Sequence, residues 1–448
     1  MTTSVRARLG QGFPALALLV LLAGDAWRYT IGWWGYSVLA LLLAGASVVL
    51  LVRSRGRWRI GTLPYPLLAF LALATVSLVW SFYPGATALG LAATWATTIV
   101  ALGLAIAYTW DQLLRALGIA IRVILGLSLL FELFVSLVIR APILPLVASP
   151  GIDYSNLPDP VPPMLFWSRD ELFTVFDGGR IQGITGNSVL LGFVALLGLI
   201  VVSLQLAAGL VRKRTGLPWL GVAGACLVFA SSGTVTVALA AVIVVAVAVL
   251  LLRRARTPRA RLGTSVGIIA VIAAGATTAF VGQAQVLALL GKSEDLTGRL
   301  GIWEKVIGLA QERPVAGWGW VSYWVPWVEP FESLVFRNGV RQLHAHNAWL
   351  DVWFQLGIIG LVIFAALVVS AAVRTWSLAT DRPQTGPGII GPFTATTMLP
   401  LLLLVALVVQ SLAESRLLVE YGWALLVVIA VKTKAAPDPA STTRLPLP

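Results

Sequence analysis

Both histidines of the chain lie in one short stretch, RQLHAHNAWLDVW, with a single residue between them. Histidine is the side chain whose unperturbed pKa, about 6.5, lets it accept a proton near neutral pH. Arg341 lies upstream of the pair, and an apolar run follows it. His344 and His346 are therefore candidates for general-base chemistry. The alternative is that both are interfacial residues with no chemical task.

Two further arginines precede or begin segments that lead towards the membrane. Arg180 lies in DGGRIQGITGNS, and Arg299 lies in TGRLGIWEKVIGLAQERP. Because a guanidinium binds phosphate through two parallel hydrogen bonds, several arginines together can stabilise a diphosphate leaving group without a metal. The alternatives are that Arg180 marks the water boundary and that Arg299 is a snorkelling charge. We expect no cofactor and no metal, because the two histidines lack an evident carboxylate cluster.

The composition excludes an ordinary soluble protein. Of the 448 residues, 58% are hydrophobic and 11% are charged, whereas soluble domains are about 25% charged. Apolar runs of roughly 20 residues, the length that crosses a bilayer as a helix, recur along the sequence. We predict an all-α polytopic membrane protein that forms one integral membrane domain over residues 1–448. The twelve predicted spans are about 12–24, 31–52, 62–82, 86–109, 117–139, 188–209, 216–232, 234–252, 263–284, 348–373, 390–412 and 416–432.

Basic residues set the predicted orientation, because Lys and Arg resist translocation. The clusters within 53–59, 212–214 and 253–261 share one side only if this span assignment is right, and both termini then lie in the cytoplasm. The net charge of +13 is mostly this topology signal. Nucleic-acid binding is not expected, because short clusters between helices do not form a single basic face.

Two predicted connections on the extracytoplasmic side are long, at about residues 140–187 and 285–347. Long connections in a compact protein tend to be functional. In the second, apolar residues at three- and four-residue spacing predict a helix capped by Thr297 and ended by Pro314. We place this helix at the membrane interface, and the tryptophans of GWGWVSYWVPW in the headgroup layer. The predicted apolar face comprises Leu300, Trp303, Ile307 and Ala310.

The two ends of the chain carry weaker patterns. The first span follows Arg6 and Arg8, so a signal peptide is the alternative, but no small-residue cleavage site follows. DAWRYT, residues 25–30, is predicted as a short loop. The proline-rich residues 433–448 are predicted as a disordered cytoplasmic tail.

A few charged residues lie inside or between the predicted spans. Arg122 and Glu132 are functional candidates by default, although their spacing is too long for direct pairing along one helix, which favours structural roles. Glu414 and Arg416 are predicted to face outward near the site. Asn347 is predicted to cap the helix that follows His346.

These segments, taken in order, resemble the O-antigen ligase and polysaccharide polymerase superfamily, most clearly in the second half of the chain. GRLGIWEKVIGLAQERPVAGWGW is similar to the family's Gly-Arg, Trp, Arg-Pro and Gly-Trp-Gly block. HAHNAWLDVWFQLGIIGLVIF is similar to its His-Asn motif and the following span. RIQGITGNSVLLG resembles the segment that opens a middle span, and WSFYPGAT and ESRLL are weaker matches.

The resemblance implies a glycosyltransferase outside the plasma membrane of a bacterium. Its donor would be a glycan on a polyprenyl diphosphate, and its acceptor a sugar hydroxyl on a glycan or glycolipid. His346 precedes asparagine and therefore carries over as the general base, with His344 as its variable neighbour. Arg299 carries over as the diphosphate-binding residue.

The second basic residue of the family is missing from this sequence. SSGTVTVAL has Gly233 where the family has an arginine, so Arg180 or Arg341 is expected to take its place. With His344 and Asn347, these arginines form the expected substrate-binding set.

Three functions remain open at this stage. A polymerase and a ligase share these motifs and differ in the acceptor, and the order Arg-Pro, Gly-Trp-Gly, His-Ala-His-Asn is closer to exopolysaccharide polymerases. The alternative class is a transporter or flippase for lipid-linked glycans, which places polar residues near the midplane and often has broken helices. Because the polar residues are predicted in outer loops, the sequence favours an enzyme.

Overall fold

A computed structural model describes residues 3–149, 152, 154–281, 299–337, 340–382, 384–386 and 389–434. Over these residues the chain is mostly helical, as predicted, with two short antiparallel ladders. The helices are α1 (Thr3–Leu22), α2 (Gly24–Arg53), α3 (Tyr65–Val76), α4 (Pro84–Ala107), α5 (Trp110–Phe134), α6 (Ser188–Ala207), α7 (Lys213–Ala230), α8 (Gly233–Arg254), α9 (Pro258–Val281), α10 (Arg299–Glu312), α11 (Ala348–Thr380), α12 (Leu399–Ser411) and α13 (Glu420–Lys434). The ladders pair β1 (Phe336–Arg337) with β2 (Val340–Arg341) and β3 (Gln384–Gly386) with β4 (Ile389–Ile390).

Each predicted span overlaps one of these helices, and α10 is the additional helix, which lies in the second long connection. We name the two long connections, predicted at about residues 140–187 and 285–347, the first and the second outer loop. Shorter apolar helices cover Gly12–Leu22, Tyr65–Val79 and Thr396–Ser411. The chain is therefore a multi-pass membrane protein, and the number of twelve spans stays a prediction. Six helical segments of the described residues are long and apolar enough to cross a membrane: Gly24–Arg53, Pro84–Ala107, Trp110–Ile139, Ser188–Ala207, Gly233–Arg254 and Ala348–Thr380.

Three predicted boundaries differ from the structure. DAWRYT is helical and opens α2, because Asp25 pairs with Arg28 one turn later. The span predicted from residue 390 begins as α12 at Leu399, since Pro392 has no N–H and disfavours helix just before it. Helix α13 continues to Lys434, and the rest of the predicted tail lies outside the described residues. Thr297 and the start of the second outer loop also lie outside them.

Two long helices are interrupted by a glycine with left-handed backbone angles, α2 at Gly32 (φ 71°) and α11 at Gly357 (φ 65°). A Cβ at Gly357 would meet the carbonyl oxygen of Val315 at 2.1 Å, so only glycine fits there. The N–H of Ile358 donates to the carbonyl of Pro314 at 2.8 Å. Broken helices also occur in transporters, but at this break the outer loop supplies the hydrogen bonds that the helix lacks.

The second outer loop packs on a hydrophobic cluster that is separate from the main core. Helix α10 buries Ile302, Val306 and Ala310 against a cluster that includes Phe331. The predicted apolar face was therefore wrong by part of a turn, and Leu300 is exposed. The four-residue spacing of the buried side chains fits a helix that packs on protein, which the sequence pattern alone did not distinguish from an interfacial helix.

The tryptophans of this loop are mostly internal. Trp320 and Trp324 are fully buried, and their indole N–H groups donate to Thr94 Oγ1 at 3.0 Å and Asp351 Oδ1 at 2.9 Å. The predicted headgroup location is wrong for these two, because buried acceptors satisfy their polar ends. Trp327, in contrast, is 58% exposed.

Glu132 holds the first outer loop against α5. Its carboxylate accepts the hydroxyl of Ser168 at 2.7 Å and the backbone N–H groups of residues 182–183 at 2.9 and 2.6 Å. Arg122 instead donates to Gln205. The two charges of this span therefore do not pair with each other, as predicted, and Glu132 has a structural contact.

Candidate active site

His346 lies in the turn that leads into α11. Asn347 caps the helix as predicted, because its Oδ1 accepts the N–H groups of Trp349 at 3.0 Å and Leu350 at 3.2 Å. The backbone of His346 is left-handed (φ 51°), which is uncommon for a residue with a Cβ. Its N–H donates to Nδ1 of His344 at 3.1 Å. These bonds fix the direction in which the imidazole of His346 points.

Both ring nitrogens of His346 face side-chain oxygens. Nδ1 lies 3.2 Å from Oε2 of Glu414, and Nε2 lies 3.2 Å from Oε1 of Gln342. The other oxygen of Glu414 accepts a hydrogen bond from the guanidinium of Arg299 at 2.8 Å. One carboxylate thus joins the predicted base to the predicted phosphate-binding arginine. We call His344, His346, Arg299 and Glu414 the His346 cluster.

The protonation states in this cluster follow from burial and charge. Burial alone would raise the pKa of Glu414, but the charge and hydrogen bond of His346 and the charge of Arg299 hold that pKa well below its usual range. Burial lowers the pKa of His344 well below its usual range, and the charge of His346 adds to the shift. Glu414 is therefore ionised and His344 neutral near neutral pH.

Asp351 ties three segments of the site together, and the sequence analysis did not assign it. Its Oδ2 accepts the N–H of Ala345, between the histidines, at 3.1 Å and the hydroxyl of Ser415, next to Glu414. Its Oδ1 accepts the indole N–H of Trp324. A carboxylate at the start of an otherwise apolar segment was the available signal. Through Ala345 and Ser415, Asp351 positions the segments that carry His346 and Glu414.

Arg341 lies beside the cluster in β2. Its NH1 donates to the carbonyl of Pro326 at 2.6 Å, and its guanidinium lies 5.4 Å from the ring centroid of Phe336. Its Nε is buried and has no hydrogen-bond partner within the described residues. Gln342, a contact of His346, follows it directly in the chain, so Arg341 lies at the edge of the site. Among the described residues this cation has no carboxylate partner.

Arg180 belongs to the first outer loop and does not touch the His346 cluster. Its backbone N–H donates to Glu171 at 2.8 Å, and its side chain makes no hydrogen bond or ion pair within the described ranges. Arg169, which the sequence analysis missed, is near it: burial lowers the pKa of Arg169, Glu171 opposes the shift and the charge of Arg180 adds to it. The loop reaches the site through Met164, whose sulfur lies 4.0 Å from Nε2 of Gln342.

A second group of charges, the ionic clamp, consists of Asp25, Arg28, Arg416 and Glu420. Arg28 pairs with Asp25 at 2.5 Å and with Glu420. Arg416 pairs with Glu420 at 3.2 Å and with Asp25 at 3.5 Å. The clamp ties the start of α2 to α13. Of the two residues predicted to face outward, Glu414 therefore joins the site and Arg416 joins the clamp.

A metal is the other occupant that the His346 cluster suggests. Ligand atoms of His344, His346 and Glu414 lie within 4.8 Å of one another, so the sequence argument failed to foresee a carboxylate at the histidines. The donor set nevertheless suits a cation poorly. Nδ1 of His344 already accepts a backbone N–H, and the carboxylate of Glu414 already pairs with the guanidinium of Arg299.

Comparisons with known proteins agree with the resemblance noted in the sequence. Residues 218–365 match the family described as O-Antigen ligase. The exopolysaccharide production protein ExoQ of Rhizobium meliloti (strain 1021) is 31% identical over 192 residues, which are 40% of this chain and 43% of that protein. The chain thus spans less than half the length of the relative it matches. The predicted resemblance to the superfamily is confirmed over this part of the chain, and the family match includes Arg299 and His346 but neither Arg180 nor Glu414.

Proposed function

We propose that this chain, whose residues 218–365 match the O-antigen ligase family, is an inverting, metal-independent glycosyltransferase. It moves a glycan from a polyprenyl diphosphate to a sugar hydroxyl on a glycan or glycolipid. The observation that carries the proposal is the bridge through Glu414, which contacts the imidazole of His346 at 3.2 Å and the guanidinium of Arg299 at 2.8 Å. A proton acceptor and a phosphate-binding cation are thereby held side by side.

His346 acts as the general base. Because ionised Glu414 can only accept a hydrogen bond, Nδ1 of His346 carries a proton and Nε2 is the nitrogen that takes the proton of the acceptor hydroxyl. The hydroxyl oxygen then attacks the anomeric carbon from the face opposite the diphosphate, which inverts the configuration. General-base catalysis of this kind contributes about 10²–10⁴ in rate.

Arginines stabilise the departing polyprenyl diphosphate. Arg299 contacts the carboxylate through one nitrogen, NH2, among the described residues, so its other N–H groups remain for a phosphate oxygen. Arg341 and Arg180 have no carboxylate partner in the described part of the chain. Preorganised cations that face the developing charge lower the barrier most where water is excluded.

The active site lies on the extracytoplasmic face of the bacterial plasma membrane in this proposal. The first and second outer loops contribute Arg180, Arg299, Arg341 and His346, while the basic clusters predicted to stay in the cytoplasm lie between other helices. A lipid-linked donor that is presented at the outer leaflet would reach the site without crossing the membrane again.

The acceptor distinguishes a polymerase from a ligase. The relative from Rhizobium meliloti is named for exopolysaccharide production, which favours polymerisation of a lipid-linked repeat unit over transfer to a different molecule. The substrate-binding roles of Asn347 and His344 are part of the same proposal, although Asn347 also caps α11 and His344 is buried.

The test uses the purified protein in lipid nanodiscs with a lipid-linked repeat unit isolated from host membranes. Chains that grow from the repeat unit alone identify a polymerase, and a product that needs a second glycolipid identifies a ligase. EDTA should leave either rate unchanged, and NMR of the product should show an inverted linkage. If the intact protein forms no glycosidic bond with either acceptor, the proposed function is wrong.

A further inference from the structure

Gln342 occupies the side of His346 on which the acceptor hydroxyl has to sit. Its Oε1 lies 3.2 Å from Nε2 of His346, the nitrogen that the proposed reaction uses as the base. The opposite nitrogen, Nδ1, is held by Glu414 at 3.2 Å. An acceptor hydroxyl must come within about 2.6–3.2 Å of Nε2 to give up its proton. Gln342 therefore has to move before the reaction takes place.

The orientation of the Gln342 amide decides what it does to the base. Its Nε2 donates to the carbonyl of Val340 at 3.0 Å. A flipped amide would instead place its oxygen at this distance from the oxygen of Val340, and neither atom could donate a proton. The amide oxygen thus faces His346 and can only accept. In this arrangement the amide oxygen occupies the position from which an acceptor hydroxyl would reach Nε2, and the oxygen has no proton of its own to give.

The site around this contact is closed by the first outer loop. Gln342 is 8% exposed, and the sulfur of Met164 lies 4.0 Å from its amide nitrogen. The charged or titratable groups around His346 are Glu414 at Nδ1, Arg299 on the same carboxylate, and His344, whose ring centroid lies 4.0 Å away. None of these forms a hydrogen bond with Nε2, and Gln342 is the described side chain that lies at hydrogen-bond distance from this nitrogen.

We propose that Gln342 is an acceptor-binding residue whose amide oxygen holds the place of the acceptor hydroxyl and keeps water away from the base. This inference rests on the proposed function. The acceptor sugar displaces the amide from Nε2, and the amide then hydrogen-bonds a neighbouring sugar hydroxyl. Without an acceptor, the amide covers Nε2, water is kept from the base and the lipid-linked donor is preserved.

The side reaction that Gln342 prevents is hydrolysis of the donor. In that reaction a water oxygen forms a bond to the anomeric carbon, and the bond between that carbon and the diphosphate oxygen breaks. The electron pair leaves with the polyprenyl diphosphate, and the proton of water passes to Nε2 of His346. Hydrolysis and transfer differ only in whether water or a sugar hydroxyl occupies the position that Gln342 vacates.

The first experiment measures free glycan and transferred glycan from the same lipid-linked repeat unit, with the full chain in nanodiscs. Gln342→Ala should raise the ratio of hydrolysis to transfer, and should raise the KM for the acceptor, each by about tenfold for one lost hydrogen bond. Gln342→Glu keeps an acceptor oxygen at Nε2 and should slow transfer without added hydrolysis. Gln410→Leu removes a buried amide that pairs with Tyr421, away from the imidazole, and controls for lost packing.

The second experiment does not depend on transfer. Because the chain has two histidines, ¹⁵N-histidine labelling of an untagged protein gives two imidazole systems, which His344→Gln assigns. The ¹⁵N signal of Nε2 of His346 should differ between the wild type and Gln342→Ala, because the variant removes the amide oxygen that lies 3.2 Å from this nitrogen. Unchanged signals together with an unchanged hydrolysis ratio would overturn the role of Gln342. A wild type that transfers no glycan would overturn the proposed function instead.

Discussion

The ionic clamp and the His346 cluster lie on either side of one turn, yet they treat charge differently. Glu414 points to His346, and Arg416, two residues later, points to Asp25 and Glu420. The side chains are buried to a similar extent, 7% to 15% exposed in the clamp and 9% to 15% in the ion pairs of the His346 cluster. Burial therefore does not distinguish the two regions.

The number of carboxylates for each cation does distinguish them. Arg28 uses all three guanidinium nitrogens on Asp25 and Glu420, and Arg416 contacts the same two carboxylates. In the His346 cluster a single carboxylate, on Glu414, serves both an imidazole and Arg299. Removing one member of a balanced group of buried charges destabilises the fold, whereas a group with unused donors suits an anionic ligand.

Tyr323 separates the two regions. Its ring lies 6.0 Å from the guanidinium carbon of Arg416 and 5.4 Å from the imidazole centroid of His344. Burial raises the pKa of Tyr323 to about 12, so the phenol is neutral and adds no charge to either side. The comparison thus predicts that substitutions in the His346 cluster change catalysis and that substitutions in the clamp change stability.

The largest expected effect is the loss of the base. His346→Ala should lower glycan transfer by about 10²–10⁴-fold, because the acceptor hydroxyl then reacts without proton removal. Its thermal midpoint should stay close to that of the wild type, since Glu414 keeps its ion pair with Arg299 and the backbone turn is held by Asn347 and His344. The comparison fails if the variant transfers glycan within tenfold of wild type, as measured by product formation in nanodiscs.

Substitutions in the clamp should lower stability and leave turnover largely unchanged. Arg416→Ala leaves Asp25 and Glu420 to share Arg28, and removing one partner of a buried ion pair costs about 3–5 kcal/mol. We expect a lower thermal midpoint, read by tryptophan fluorescence, with turnover per folded molecule near that of the wild type.

A double variant sharpens this test. Adding Asp25→Asn to Arg416→Ala removes one charge of each sign and should recover part of the lost stability. Additive losses in the double variant would show that Asp25 and Arg416 do not stabilise each other. A loss of turnover that exceeds the loss of folded protein would show that the clamp is not purely structural.

Removing the bridge carboxylate should give an intermediate effect on rate. Glu414→Gln takes a charged hydrogen bond from His346, a contribution of about 1.5–3 kcal/mol, and should slow turnover by about 10- to 100-fold. Glu420→Gln makes the same change in the clamp and should leave turnover per folded molecule near that of the wild type; an equal loss of turnover in both variants would contradict the assignment.

Sequence reasoning found the helices and the two ends of the Glu414 bridge, and it missed the bridge itself. His346 and Arg299 stand out by residue type and by resemblance, because histidine is rare in this chain and both lie in motifs. Their contact through Glu414 spans 68 residues for His346 and 115 for Arg299, and no local pattern encodes such a pairing. Asp351 and the buried Trp320 were missed for the same reason, since a long-range partner decides their roles.

The smallest predicted effect concerns His344, which lies between Tyr323 and His346 and is neutral in the folded protein. Its pKa is lowered well below the usual range by burial, whereas an unfolded histidine takes up a proton near pH 6.5. Below about pH 6.5 the unfolded state binds the additional proton, so the free energy of unfolding should fall as the pH falls, by at most about 1.4 kcal/mol per pH unit. The stabilising contribution is complete above that pH and is lost progressively below it.

His344→Gln isolates this contribution, because every other titrating group is the same in the two proteins. Thermal midpoints between about pH 5 and pH 7.5 should fall more steeply for the wild type than for the variant as the solution becomes acidic. Curves that run parallel would mean that His344 takes up its proton in the folded state over the same pH range as in the unfolded state. In that case the His346 cluster would hold a further buried positive charge with no additional carboxylate, and its contrast with the balanced clamp would be larger than the structure indicates.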